Sequence, residues 1–142
     1  MNKFIKILLA FVLVLAIIGA IGYFSFMNAP KASVEDKKAE FTIAATALFE
    51  QFEADETASN TKYIGKTVEV SGTIGEISKD ENDAPVLLLN AGEDGFGGVL
   101  CTLEGSQKEK ASKLKMGQTI KVKGVCTGML MEVIINKGTL IE

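Results

Sequence analysis

"KTVEVSGTIGEI", residues 66–77, decides the architecture of this chain. Val68, Val70 and Ile74 fall on one face of an alternating pattern, Gly72 takes the alternate position between them, and the alternation slips after Gly75 so that Ile77 is out of step. Period two is the mark of a half-buried strand, because successive side chains point to opposite faces. A glycine inside such a run marks a bulge or tight bend, where the missing side chain lets the backbone turn sharply. The stretch therefore predicts a long strand that bends, as strands do at the corner of a small barrel.

The chain that follows supplies the remaining walls. "SKDENDA" (78–84) reads as a polar loop, "PVLLLN" (85–90) as a second strand, "AGEDGFGG" (91–98) as a glycine-rich turn and "GVLCTLE" (98–104) as a third strand. "GSQKEKASKLKMG" (105–117) has helical composition, with Ser106 as N-cap and Gly117 as stop. "QTIKVKGVCTG" (118–128) places Ile120, Val122, Gly124 and Cys126 in one register of a fourth strand, and "MLMEVIINKGTLIE" (129–142) is the fifth. Five strands with a helix between the third and fourth, within about 80 residues, predict the OB-fold, a five-stranded Greek-key barrel. A sandwich needs more strands, and a parallel α/β sheet needs helices between nearly all of them.

Ahead of the barrel lie two further segments. Residues 7–30 carry no charge, and "ILLAFVLVLAIIGAIGYF" is almost wholly apolar. That length favours a retained transmembrane helix over a cleaved signal, whose apolar core runs only about 7 to 15 residues. Lys3, Lys6 and the amino group precede the span and Lys31, Lys37 and Lys38 follow it, but the short charged tail leading directly into an apolar run resembles a signal-anchor with its N-terminus in the cytoplasm, so the expected location is the cell membrane, crossed once through residues 7–26, with the C-terminal domain extracytoplasmic, that is periplasmic. Ser33 and Asp36 resemble a capping box. From there an amphipathic helix is expected over about 34–54, with Phe41, Ala45, Leu48 and Phe52 on its stripe, Ala44 and Phe49 widening it, and the stripe packing on the barrel. The organisation is thus anchor and linker in residues 1–30, amphipathic helix in 33–62 and barrel in 63–142.

Composition narrows the function. Residues 31–142 hold 13 lysines, no arginine and 18 acidic residues, a net charge of −5. Nucleic-acid binders usually show a basic footprint, and arginine is the residue best shaped for phosphate and guanine. The chain has no histidine, so histidine-assisted nucleophiles and histidine-based metal sites are excluded, and two cysteines are too few for a structural zinc. A non-enzyme with no cofactor and no metal is expected. "AGEDGFGG" is no phosphate cradle, since it leads into a strand and carries Glu93 and Asp94 instead of a lysine; it reads as a turn with Phe96 as its apolar pin.

"YIGKTVEVSGTIGEI", "FGGVLCTL", "LKMGQTIKVKGVCTGMLMEVII" and "ATALFEQFEADETASNTKY" together resemble the tRNA_anti-like family over about residues 40–142. The resemblance implies an OB-fold, in small membrane-attached proteins of Bacteroidetes-type bacteria whose function is uncharacterised. The family pattern has cysteines matching Cys101 and Cys126, and often a third where this chain has Gly138. Parity points both thiols inward. An oxidising compartment permits them to pair, but the OB strand order 1-2-3-5-4-1 puts the fifth strand between them, about 9 to 10 Å for two strand spacings against a limit of roughly 7 Å. Buried free thiols, a disulfide and a reactive pair all stay open on this reading.

OB-folds that hold oligonucleotides or sugars use the face of strands two and three with the 1–2 and 4–5 loops. The corresponding candidates here are Lys79, Asn82, Leu88, Asn90, Phe96 and Thr127. The expected function is a membrane-anchored binding or interaction module whose partner is a protein, peptide or glycan. Two competing readings are a single-stranded nucleic-acid binder and a thiol redox protein using Cys101 and Cys126.

Overall fold

A computed structural model of the protein describes residues 2–27, 34–92 and 97–141. It forms two compact units, Met1–Ala32 and Ser33–Glu142. The first is helix α1, Lys3–Met27, of 25 residues. At about 1.5 Å per residue it extends about 37 Å, enough for the roughly 30 Å hydrocarbon core of a bilayer.

The second unit is built around strand β2, Thr67–Lys79, for which β1, Phe41–Ala44, is an edge partner. Strands β3 (Pro85–Asn90), β4 (Gly98–Leu103), β5 (Thr119–Met129) and β6 (Val133–Ile141) follow. The sheet order is β1-β2-β3-β4-β6-β5, and β5 pairs back onto β2, so five strands close into the expected OB barrel. β2 serves two neighbours in turn: residues 67–73 pair with β5, and residues 74–79 pair with β3 after a register shift between Ile74 and Glu76. The glycines explain the bend. A Cβ on Gly72 would stand 3.0 Å from the Ala45 Cβ, and one on Gly75 would overlap the Asn90 side chain.

Helix α2, Ala45–Ala54, buries Ala45, Leu48, Phe49 and Phe52 on the barrel, so the apolar stripe packs where the sequence placed it. Its start differs. The helix expected from residue 34 begins only at Ala45, because Phe41–Ala44 extends instead and pairs in parallel with β2, Phe41 opposite Val68 and Ala44 opposite Ser71. That edge of β2 offers backbone hydrogen bonds, and Thr42 and Ile43 are β-branched residues suited to accept them. The helix, β1 and the barrel share one core within the unit Ser33–Glu142. The expected cap at Ser33 lies outside the described residues.

Asp55 breaks the helix and caps α3, Glu56–Tyr63, by accepting from the Ala58 amide at 3.0 Å. Tyr63, 1% exposed, then locks helix to barrel. Its hydroxyl donates to Gln51 Oε1 at 2.7 Å, its ring stacks on Phe52 at 6.0 Å, and it meets Phe41 edge-on at 5.0 Å.

The helix expected over 105–117 is also shorter. Gly105–Gln107 forms a 3-10 turn and α4, Lys108–Ala111, a single α-helical turn. Ser106 does not cap it. Gln107 precedes α4 and buries its side chain, where Oε1 accepts from the Leu140 amide at 3.2 Å. Gly117 does end the segment, with φ +84°.

Gly124 sits where β5 and β6 converge, and a Cβ there would lie 2.5 Å from Ile135 Cγ2 and 2.7 Å from the Asn136 carbonyl. Gly124→Ala is expected to destabilise the domain by about 1–3 kcal/mol through overpacking. Leu48→Ala, at a fully buried position, is expected to cost about 2–5 kcal/mol through the cavity it leaves. Urea unfolding of the full chain measures both, and a Gly124→Ala midpoint equal to wild type would show that the strands relax apart freely.

Candidate functional site

Alternation along β3, β4 and β6 sorts their side chains. Leu87, Leu89, Val99, Cys101, Leu103, Val133 and Ile135 point into the barrel and are essentially fully buried. The residues between them face out. Register then matters: Leu88 stands opposite Leu100, and Leu100 opposite Ile134, so three half-exposed aliphatic side chains form a row across three strands. Thr102 extends this face beside Leu100, and Glu76 lies next to Leu88 on β2.

Two loops flank the row. In the β2–β3 connection Asp80 Oδ1 accepts from the amides of Asn82 (2.8 Å) and Ala84 (2.9 Å), which fixes the turn and lets Asp83 adopt φ 62°. Asp83 receives Lys79 at 2.9 Å and Lys108 at 3.2 Å. Hydrogen bonds from these two lysines, aided by their charges, hold its carboxyl below the usual carboxylate range. Beside this triad is a cavity of about 240 Å³ lined by Ile77, Pro85 and Ala111. The β5–β6 turn closes with the Leu130 amide donating to the Glu132 carbonyl at 3.1 Å, and it exposes Leu130 (84%) and Met131 (78%).

Of the residues singled out from sequence, Leu88 lies in the aliphatic row and Asn90 at the exposed end of β3, its side chain laid over Gly75. Lys79 ends β2, committed to Asp83, and Asn82 belongs to the β2–β3 loop. Thr127 is on β5, where its hydroxyl donates to the Ile134 carbonyl at 3.3 Å and braces the hairpin. Phe96 lies outside the described residues. Leu100 and Ile134 were not among the candidates. The parity of Val99, Cys101 and Leu103 already turned Leu100 outward, but only the strand register aligned it with Leu88.

The cysteines are both free and buried, and the disulfide alternative is not realised. The reason is β6: Ile135 pairs with Cys101 on one side and Cys126 on the other, so a whole strand separates them. Burial pushes the Cys101 thiol up to about 12 and raises that of Cys126, against which a backbone hydrogen bond with Gly128 acts weakly. Neither is a thiolate at neutral pH, and thiolate is the reactive form. Gly138, at the position where the family resemblance suggested a third cysteine, is crowded by Leu103 and Val122.

The closed barrel, with its helical segment between third and fourth strands, makes this an OB-fold protein. The tRNA_anti-like family model matches residues 1–139, and the chain belongs to that family. No curated protein matches it. Among solved structures it is similar to a "putative nucleic acid-binding lipoprotein" from Klebsiella pneumoniae, at 13% identity over 70% of this chain and 91% of that one, with a TM-score of 0.59. It is also similar to an OBody bound to hen egg-white lysozyme, at 15% identity over 63% of this chain and 91% of that one, with a TM-score of 0.44. What the first of these shares with the chain is the fold.

Because the folded-state value of Cys101 lies above its ordinary 9.0, its contribution to stability is complete below pH 9 and is lost as pH rises toward 12. Wild-type stability is expected to fall above pH 9 more steeply than that of Cys101→Ala, measured by denaturant midpoints across pH. In the native chain at neutral pH both thiols are expected to resist iodoacetamide until denaturant unfolds the barrel; labelling at the rate of a free thiol would refute their inertness.

Proposed function

We propose that the protein is a non-enzymatic binding module, anchored in the cell membrane by α1 with its barrel outside the cytoplasm, that takes a protein or peptide partner on the outer face of β3, β4 and β6. The observation that carries this reading is the aliphatic row of Leu88, Leu100 and Ile134, aligned by register on the face that OB-folds use for ligands. Such a row suits apolar side chains of a partner, and the flanking loops suit basic ones, since they hold Glu81 and Glu132. Support for a non-enzyme comes from the missing histidine and from two thiols held protonated in the core. Support for anchoring comes from the length and apolar character of α1, the one helix among the described residues that could cross a bilayer. Support for sidedness comes from the short charged tail leading directly into the apolar run, as in a signal-anchor.

A second reading is single-stranded nucleic-acid binding, favoured by the description of the Klebsiella neighbour. The face itself argues the other way. Stacking of bases needs exposed aromatics and a positive groove, and the described residues of this face supply neither.

One experiment separates the two readings. With a photo-crosslinking amino acid at position 100 of the full chain in cells, a discrete protease-sensitive product is expected, reduced at least about ten-fold by Leu88→Asp. A nuclease-sensitive product would transfer the face to nucleic acid. Adducts unaffected by Leu88→Asp would refute the aliphatic row as a contact.

Sidedness has its own readout. Alkaline phosphatase fused after residue 142 is expected to be active and green fluorescent protein fused there dark; the reverse would put the barrel in the cytoplasm.

A further inference from the structure

The domain is acidic, but its charge is unevenly spread. Residues 108–123 hold six lysines, at 108, 110, 113, 115, 121 and 123, against the single acid Glu109. Lys108 is taken by Asp83 at 3.2 Å, and Lys123 Nζ donates to the Glu35 carbonyl at 2.7 Å. Lys113 has a long contact with Glu109, at 4.0 Å between two exposed side chains. Among the described residues no carboxylate lies within salt-bridge distance of Lys110, Lys115 or Lys121. Glu69, on the neighbouring strand, stands opposite Lys123, whereas Lys121 stands opposite Ser71.

Three of the six lysines rim a groove of about 520 Å³ where the segment after α4 meets β5 and β6. Lys110, Lys113 and Lys121 edge it, and Leu114, Ile120 and Leu140 are among its apolar residues. Met116, in the adjoining turn, is 68% exposed beside Lys115. Apolar lining under a cationic rim fits an anionic amphiphile. It fits a nucleic-acid strand poorly, because the groove holds no aromatic side chain on which a base could stack.

The second observation is where the linker joins the domain. Val34–Asp36 packs on β5 and β6, with Val34 fully buried and Lys123 tied to Glu35. Lys121 lies two residues from Lys123 on the same face of β5, about 7 Å along the strand. Six residues separate Met27 from Val34. Even fully extended they span no more than about 25 Å. The basic groove therefore lies beside the point at which the linker enters the domain.

We propose that this groove is a docking surface for the anionic phospholipid headgroups of the bilayer that α1 crosses. The proposal rests on the reading of α1 as a span. Tethering supplies a high effective concentration, and the lysines act within the short range at which an anionic surface attracts cations. Lys110, Lys113 and Lys121 take the phosphates, and Met116 and the groove's aliphatic residues take the glycerol and upper acyl region. The aliphatic row on β3, β4 and β6 is thereby left open to a partner.

The test is an amine-labelling footprint of the full chain in nanodiscs of phosphatidylcholine, with and without phosphatidylglycerol, read by mass spectrometry. Phosphatidylglycerol is expected to slow labelling of Lys110, Lys113 and Lys121 by at least about five-fold, reversibly with salt, while Lys62 and Lys66 are unchanged. Lys110→Gln with Lys121→Gln is expected to abolish the lipid-dependent protection of Lys113. Equal labelling in both lipids, in a chain retained by both discs, would overturn the docking proposal alone. Release of the chain from both discs at high salt would overturn the span reading beneath it. Protection of the same lysines by a single-stranded oligonucleotide in phosphatidylcholine discs would overturn the docking proposal and assign the groove to nucleic acid.

Discussion

Every strand of the barrel depends on the bend in β2. Its first half pairs with β5 and its second half with β3, and the bend between the halves lets the sheet curl until β5 meets β2. Gly72 and Gly75 remove the side chains that would obstruct the turn, and the bulge after Ile74 resets the register for β3. The register of β3 then fixes that of β4, and through it the alignment of Leu88 with Leu100 and Ile134. The proposed binding face is thus a downstream result of two missing methyl groups on another strand.

The outer surface of the barrel carries chemically distinct regions on different strands. The aliphatic row on β3, β4 and β6 is bordered by acidic loops, while the lysines gather between α4 and β5. Closure of the barrel is what separates them, since an open sheet would put β3 and β5 on one continuous face. Net charge alone, −5 for the domain, hides this polarity.

Much of the barrel was legible in the sequence because its strands alternate cleanly, and the closing order follows from five strands with one helical break. β1 was not legible. Phe41, Ala45, Leu48 and Phe52 keep helical spacing across the point where strand gives way to helix, and four residues are too few to reveal period two. Only the edge that β2 leaves available decides the matter. The segment after Gly105 misled differently: its lysine-rich composition favours helix, but Ala111 and Leu114 are too few apolar residues to bury more than one turn. For the candidate face, sequence gives which way a side chain points but not which residue stands beside it. Leu88 was therefore found and its two neighbours were not.

Ile135 also has a meaning in time. β6 is the last strand to be synthesised, yet it lies between β4 and β5, which carry Cys101 and Cys126. A disulfide between Cys101 and Cys126 therefore requires a chain in which β6 is not in place between them.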